Sequence, residues 1–275
     1  MSEELTMIKP SRGWVALNLK DLWKYRELVY FLIWRDIKVR YKQAALGVAW
    51  AIIQPLLTMV IFSVVFGKFG KLPTDNSIPY PLFTFAALLP WQLFASALQR
   101  AGTSLVGSAN LITKIYFPRL IIPISAVVGG IADFAISFII LIGLMLYYKV
   151  YPTWNVLWII PFTLLTFITA LAVGLWLSAM NVRYRDVQQM IPFLIQAWMF
   201  ASPVAYSARL ITDRTWQLIY GLNPLAGIIQ GFRWAMLGGT PPGELMWISA
   251  SVMVILLISG LYYFRRMEKT FADTV

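Results

Sequence analysis

Trp34-Arg35-Asp36-Ile37-Lys38-Val39-Arg40-Tyr41 runs, within a few residues, into Leu46-Gly47-Val48-Ala49-Trp50 and then Pro55. A charged segment of helical pattern turns directly into an apolar one. Nine Lys or Arg precede Ala44, and no charge occurs from Ala44 to Gly67. So sharp a change of character marks a change of solvent, from water and lipid headgroups to hydrocarbon. Basic residues collect on the cytoplasmic side of such a junction, so the junction also sets the orientation of the chain.

The remaining composition agrees. Of the 275 residues, 59% are hydrophobic and 13% are charged, and the mean hydropathy is +0.70. Soluble domains carry about 25% charged residues. The chain reads as one integral membrane domain. Its net charge of +11 does not point to nucleic acid, because Lys and Arg cluster at the ends of apolar runs. There they anchor to membrane lipids and fix topology. Cys is absent, which removes disulfides and thiolate chemistry, and His is absent, which removes the commonest general base and metal ligand. Residues 1–42 lack an apolar core ahead of a small-residue cleavage site, so no cleavable signal peptide is expected.

The pattern predicts an all-α integral membrane fold with six transmembrane helices. A cytoplasmic segment, 1–43, carries an N-terminal interface helix. The membrane domain, 44–264, has spans near 44–66, 80–100, 120–148, 154–180, 187–206 and 245–264. A loop at 101–119 faces the cytoplasm, two short re-entrant helices fill 207–240 between spans five and six, and 265–275 is a cytoplasmic tail. The re-entrant reading rests on Gly221, Asn223 and Pro224, which break an apolar stretch too short to cross. With six spans and both termini inside, inner segments hold 17 of the 23 Lys and Arg. A seventh span would put Arg265, Arg266 and Lys269 outside, against the positive-inside rule.

In the N-terminal helix Trp23, Tyr30, Trp34, Ile37 and Tyr41 share one narrow face. Trp and Tyr settle at headgroup level, so this stripe favours an amphipathic helix lying in the interface. Leu28, Leu32 and Val39 form a second apolar sector, which suits packing against protein instead. Within loop 101–119, Ser108 or Asn110 can cap a short helix and Pro118 can end it. Leu111, Ile112, Ile115, Tyr116 and Phe117 would then project from the surface toward a partner, unless the loop packs under its own bundle. The residues alone leave that choice open.

Asp133 is the one charge in the third span, and no second acid or His accompanies it to form a proton relay. A structural pairing with Arg is favoured. Two spans carry polar and aromatic faces, Trp50, Gln54 and Thr58 in the first and Gln189, Phe193, Gln196 and Phe200 in the fifth. Such faces suit a sugar passage, since rings stack on sugars and amides exchange hydrogen bonds with hydroxyls. They suit interhelical bonding equally well. Gly67-Lys68-Phe69-Gly70-Lys71-Leu72 fails as a phosphate loop, because Val65 stands at the first Gly position and Leu72 replaces the Ser or Thr. Any ATP hydrolysis therefore belongs to another chain.

Three motifs carry a resemblance. They are Arg35-Asp36-Ile37-Lys38-x-Arg40-Tyr41 with Leu46-Gly47-x-x-Trp50 and Pro55, then Lys114-x-Tyr116-Phe117-Pro118-Arg119, then Asn181-x-Arg183-Tyr184-Arg185-Asp186. Over about residues 19–269 the chain resembles the permease family of ABC-type polysaccharide exporters, which move O-antigen, capsule or teichoic acid chains. The resemblance implies a homodimer around a channel in the bacterial inner membrane. It implies two copies of a separate nucleotide-binding subunit that hold ATP and magnesium, no cofactor on this chain, and a substrate glycan linked to polyprenyl pyrophosphate. It makes loop 101–119 the coupling segment, with Ser108, Asn110, Leu111, Ile112, Lys114, Tyr116, Phe117, Pro118 and Arg119 at the ATPase. It makes Arg35, Lys38, Arg40 and Lys42 candidates for the pyrophosphate, because guanidinium groups pair with phosphate oxygens. The alternatives are a permease for a drug or small lipid, and an integral membrane glycosyltransferase. Scattered acids and the absence of His count against the latter.

Overall fold

A computed structural model describes residues 19–42, 45–75, 78–210, 213–268 and 271. Among these residues the fold is helical, with no strand. That follows from the solvent, because hydrocarbon offers nothing to backbone groups and each segment must satisfy its own.

Two N-terminal helices, α1 (Leu19–Lys24) and α2 (Arg26–Lys42), precede α3 (Ala45–Phe62), which continues in wide π-helical turns over Ser63–Phe69. The long α4 (Tyr80–Gly107) is followed by the short α5 (Ala109–Lys114). Next come α6 (Ile121–Val128) and α7 (Ile131–Tyr147), which bend apart at Gly129 and Gly130. Then follow α8 (Ile159–Arg183), α9 (Val187–Phe200), α10 (Arg214–Gly221), α11 (Pro224–Leu237) and α12 (Glu244–Glu268).

α4 is the axis of the molecule. Every residue from Leu82 to Trp91 is buried, so this helix is apolar all round and surrounded by others. Helices α3, α6, α7, α8, α9 and α11 all pack against it. Small residues allow the closest approach. A Cβ added at Gly174 of α8 would stand 2.6 Å from the Ala101 Cβ of α4, so only glycine lets these backbones meet.

Five stretches among the described residues are long and apolar enough to cross a membrane: Ala49–Phe69, Tyr80–Gly107, Ile121–Tyr147, Trp154–Arg183 and Glu244–Glu268. The expected span at 187–206 is shorter than the pattern suggested. Helix α9 has 14 residues and ends at Phe200. At about 1.5 Å per residue it reaches about 21 Å, against a hydrocarbon thickness of about 30 Å. It stops early because its trailing carbonyls are captured elsewhere. Asn223 Nδ2 donates to the Ala201 carbonyl at 3.0 Å, and Arg233 donates to the carbonyls of Val204 at 2.7 Å and Tyr206 at 3.0 Å. The break expected at Gly221–Pro224 is present as the joint between α10 and α11. There the Asn223 side chain caps α11 by accepting from the Leu225 N–H.

One end of the bundle is closed by a second apolar cluster. It gathers Leu32 of α2, Ile112 of α5, Phe117, Leu120, Val182 of α8, and Phe264 of α12. Arg183 and Arg265 lie in the last turns of α8 and α12, so basic residues ring this end. The N-terminal helix packs partly against the bundle. Leu32 is buried against the bundle and Leu28 partly so, while Trp23, Tyr30, Trp34 and Val39 stay exposed.

Candidate functional site: a polar groove and an exposed loop

The polar residues of the spans converge. A groove of about 390 Å³ opens between α3, α4, α7 and α9, with Arg40 of α2 at its edge. Gln54 and Thr58 line it from α3, Gln92 and Ser96 from α4, Asp133 and Ser137 from α7, and Gln196 from α9. Three carboxamides and several hydroxyls in one apolar bundle present donors and acceptors without a fixed charge. Thr58 satisfies its hydroxyl by donating to the Gln54 carbonyl at 2.9 Å.

The seven residues expected to line a passage therefore divide. Gln54, Thr58 and Gln196 meet in the groove, whereas Trp50, Gln189, Phe193 and Phe200 stand on exposed surfaces outside it. Gln92 was missed by the sequence reading. Its signal is a polar row, Gln92, Ser96 and Arg100, at successive spacings of four on one face of a mainly apolar helix.

Charge concentrates where the groove meets α2. Arg40 Nη1 lies 2.6 Å from Asp133 Oδ2, and Arg100 Nη1 lies 3.5 Å from the same oxygen. Tyr41 donates its hydroxyl to Asp133 Oδ1 at 2.6 Å. Burial, followed by that bond to Asp133, pushes the Tyr41 hydroxyl up to about 12, so it remains a donor at neutral pH. Asp133 is paired with arginine, as expected for it. Among the other pyrophosphate candidates, Arg35 pairs with neighbouring Asp36 at 2.8 Å, and Lys38 sits 5.3 Å over the Trp34 ring. The side chain of Lys42 lies outside the described residues.

Loop 101–119 resolves differently from its expectation. The helix expected to end at Pro118 ends at Lys114, and Ser108 stands at its N-cap position without a side-chain capping bond. Phe117 does not project. It is 5% exposed and, with Ile112, fills the apolar cluster at this end of the bundle. Leu111 and Pro118 are half-buried. Arg119 donates to the Glu268 carbonyl at the end of α12. The anchors leave a smaller surface: Asn110, Lys114, Ile115 and Tyr116 are exposed, Tyr116 at 79%. The apolar run therefore splits, with Ile115 and Tyr116 on display and Phe117 as the anchor, at the point where the helix gives way to extended backbone at Ile115. The third motif also does structural work, since Asn181 Nδ2 donates to the Gly102 carbonyl at 3.0 Å and ties α8 to α4.

Comparison with known proteins fits this architecture. Residues 27–237 match the family model described as ABC-2 type transporter. The chain is 29% identical over 259 residues to the O-antigen export system permease protein RfbA of Myxococcus xanthus, covering 94% of this chain and 98% of that protein. It is 30% identical over 249 residues to the RfbA protein of Klebsiella pneumoniae, covering 90% and 94%. Against the polysialic acid transport protein KpsM of Escherichia coli it is 24% identical over 244 residues, covering 86% and 92%. The family match spans helices α2 to α11, the groove and the exposed loop together: the chain belongs to the ABC-2 type transporter family, as a membrane-spanning permease.

Proposed function

We propose that two copies of this chain form the channel of an ATP-driven exporter in the bacterial inner membrane. Its substrate is a polysaccharide linked to polyprenyl pyrophosphate, O-antigen before capsule or teichoic acid. The observation that carries this reading is the groove, where three carboxamides lead away from a paired but net cationic mouth. Sugar hydroxyls exchange hydrogen bonds with amides, and a diphosphate is attracted to guanidinium.

The chain has no catalysis of its own, and a separate subunit binds ATP and magnesium. That subunit docks on Asn110, Lys114, Ile115 and Tyr116, while Phe117 and Arg119 hold the loop to the bundle. ATP binding draws the two loops together and the helices follow, because the anchors transmit the movement to α6 and α12. The α5 end of the bundle is cytoplasmic, with both termini there. Helix α9 is a short fifth crossing, and α10 and α11 dip in from the outer side. Trp50, Gln189, Phe193 and Phe200 then face the dimer axis, where exposed rings and amides border the passage. Trp23, Tyr30 and Trp34 rest at the inner lipid headgroups.

The test is surface polysaccharide in cells lacking the gene, complemented with wild type or with Ile115→Ala/Tyr116→Ala, together with co-purification of the ATPase. Under this reading the double variant reaches the membrane, loses the ATPase and leaves glycan inside. Normal export with the ATPase still bound rejects the docking surface. A deletion that leaves surface glycan unchanged rejects polysaccharide as the cargo.

A further inference from the structure

Two guanidinium groups share one carboxylate at the mouth of the groove, so the cluster keeps one positive charge in excess. The two are held very differently. Arg100 is 23% exposed and also donates to the Ala126 carbonyl at 3.2 Å and to Ser96 Oγ at 3.1 Å. Gly130 is required for that placement, since a side chain there would collide with the Arg100 guanidinium. Arg40 is 46% exposed, and among the described residues Asp133 is its one polar partner. Arg100 is thus fixed by three contacts, one on its own helix and one each on α6 and α7, and Arg40 by a single exchangeable pair.

We infer that Asp133 is an internal counter-ion which competes with the diphosphate of the substrate for Arg40. This rests on reading the groove as the diphosphate site. An entering diphosphate offers Arg40 two oxygens in place of the Asp133 carboxylate. Asp133 is not stranded by the exchange, because Arg100 and the Tyr41 hydroxyl remain on its two oxygens. The Asp133 carboxylate stays paired throughout, so an exchange that would otherwise expose a bare carboxylate proceeds between two paired states. Two consequences follow. Asp133 lowers the affinity for anion rather than raising it, which allows the charged cargo to leave. Breaking the Arg40 pair also releases one link between α2 and α7, so cargo loading loosens the helix that leads into the first span.

The experiment is a calorimetric titration of the purified exporter complex in neutral detergent with inorganic pyrophosphate. Wild type binds, and Arg40→Gln binds about tenfold or more weakly, as expected for loss of a charged partner. Asp133→Asn binds about tenfold more tightly, since it removes a competing like charge. Tyr41→Phe keeps the carboxylate but removes its second partner, so Arg40 is held harder and binding weakens a few-fold. These opposite signs keep the test meaningful if Asp133→Asn does not accumulate. A purely structural Asp133 predicts no gain in Asp133→Asn and no loss in Tyr41→Phe. That pattern, with Arg40→Gln still impaired, overturns the counter-ion and leaves the diphosphate site standing. Equal binding by Arg40→Gln and wild type overturns the site itself. Displacement of pyrophosphate by phosphatidylglycerol micelles as effective as by polyprenyl diphosphate identifies a general phospholipid site and overturns the cargo assignment.

Discussion

Two of the places where the bundle holds buried charge differ in their partners. At the end away from α5, Arg233 is 4% exposed and lies 3.6 Å over the Phe83 ring. It donates to three backbone carbonyls, those of Phe83, Tyr206 and Val204. In the groove, Asp133 is met by side chains, from Arg40, Arg100 and Tyr41. Backbone carbonyls cannot leave without unfolding the segment that carries them. Arginine side chains can swing to another anion at small cost. The first cluster therefore builds a rigid corner, joining the start of α4, the segment after α9, and α11. The second builds a joint in which the Arg40 contact is exchangeable. Under the proposed reading, in which the α5 end is the one that moves, the rigid corner lies at the far end and the exchangeable joint near the moving one.

The largest expected effect breaks that contrast or confirms it. Arg233→Met leaves three carbonyls without donors in a buried site, and each unsatisfied group costs about 1–3 kcal/mol. The expected outcome is loss of most folded protein, read as membrane accumulation and thermal unfolding in detergent. Asp133→Asn keeps its hydrogen-bonding shape and is expected to unfold within a few degrees of wild type. If the two variants exchange these behaviours, Asp133 is the structural charge and Arg233 the exchangeable one. The next effect separates the two halves of the exposed loop. Phe117→Ala removes a buried ring, which costs about 3–5 kcal/mol, and should fail through misfolding. Tyr116→Ala, one residue away, should leave stability within about 0.5 kcal/mol and act on ATPase binding alone. Comparing unfolding temperature with co-purification distinguishes them.

Much of this was legible in the sequence because the bilayer imposes a coarse pattern. Uncharged runs had to be helices, and the breaks at Gly221, Asn223 and Pro224 had to fall between two of them. The length of α9 was not legible, since apolar residues continue to Ala208 while the hydrogen bonds that end the helix come from Asn223 and Arg233, distant in sequence. Burial of Phe117 was hidden for the same reason. Its neighbours Tyr116 and Ile115 are equally apolar, and the cluster it joins, with Leu32 of α2 and Phe264 of α12 brought in from far along the chain, decides which ring turns inward. Asp133 was recognised as a paired acid. Its partner Arg40 instead stood among the anion-binding residues, because spacing along α2 cannot reveal a contact with α7.

A smaller contrast sharpens the same comparison through amides. Asn223 accepts from Trp198 Nε1 and the Leu225 N–H, each at 3.0 Å, and donates to Ala201 O and Ser202 Oγ at 3.0 and 2.9 Å. Every donor and acceptor of its carboxamide is engaged at the rigid end. Asn223→Ala removes a helix cap together with these links and is expected to destabilise by about 1–3 kcal/mol, with export falling only as the folded protein falls. Gln92 and Gln196 face the open groove, where the amide is available to a ligand. Gln92→Leu should leave unfolding within about 0.5 kcal/mol of wild type while slowing export, because only the moving sugar has lost a partner. Glycan export normalised to protein in the membrane reads both. A Gln92→Leu variant that unfolds early and exports normally per folded molecule would make the groove amides part of the helix packing, and would move the passage to the exposed faces of α3 and α9.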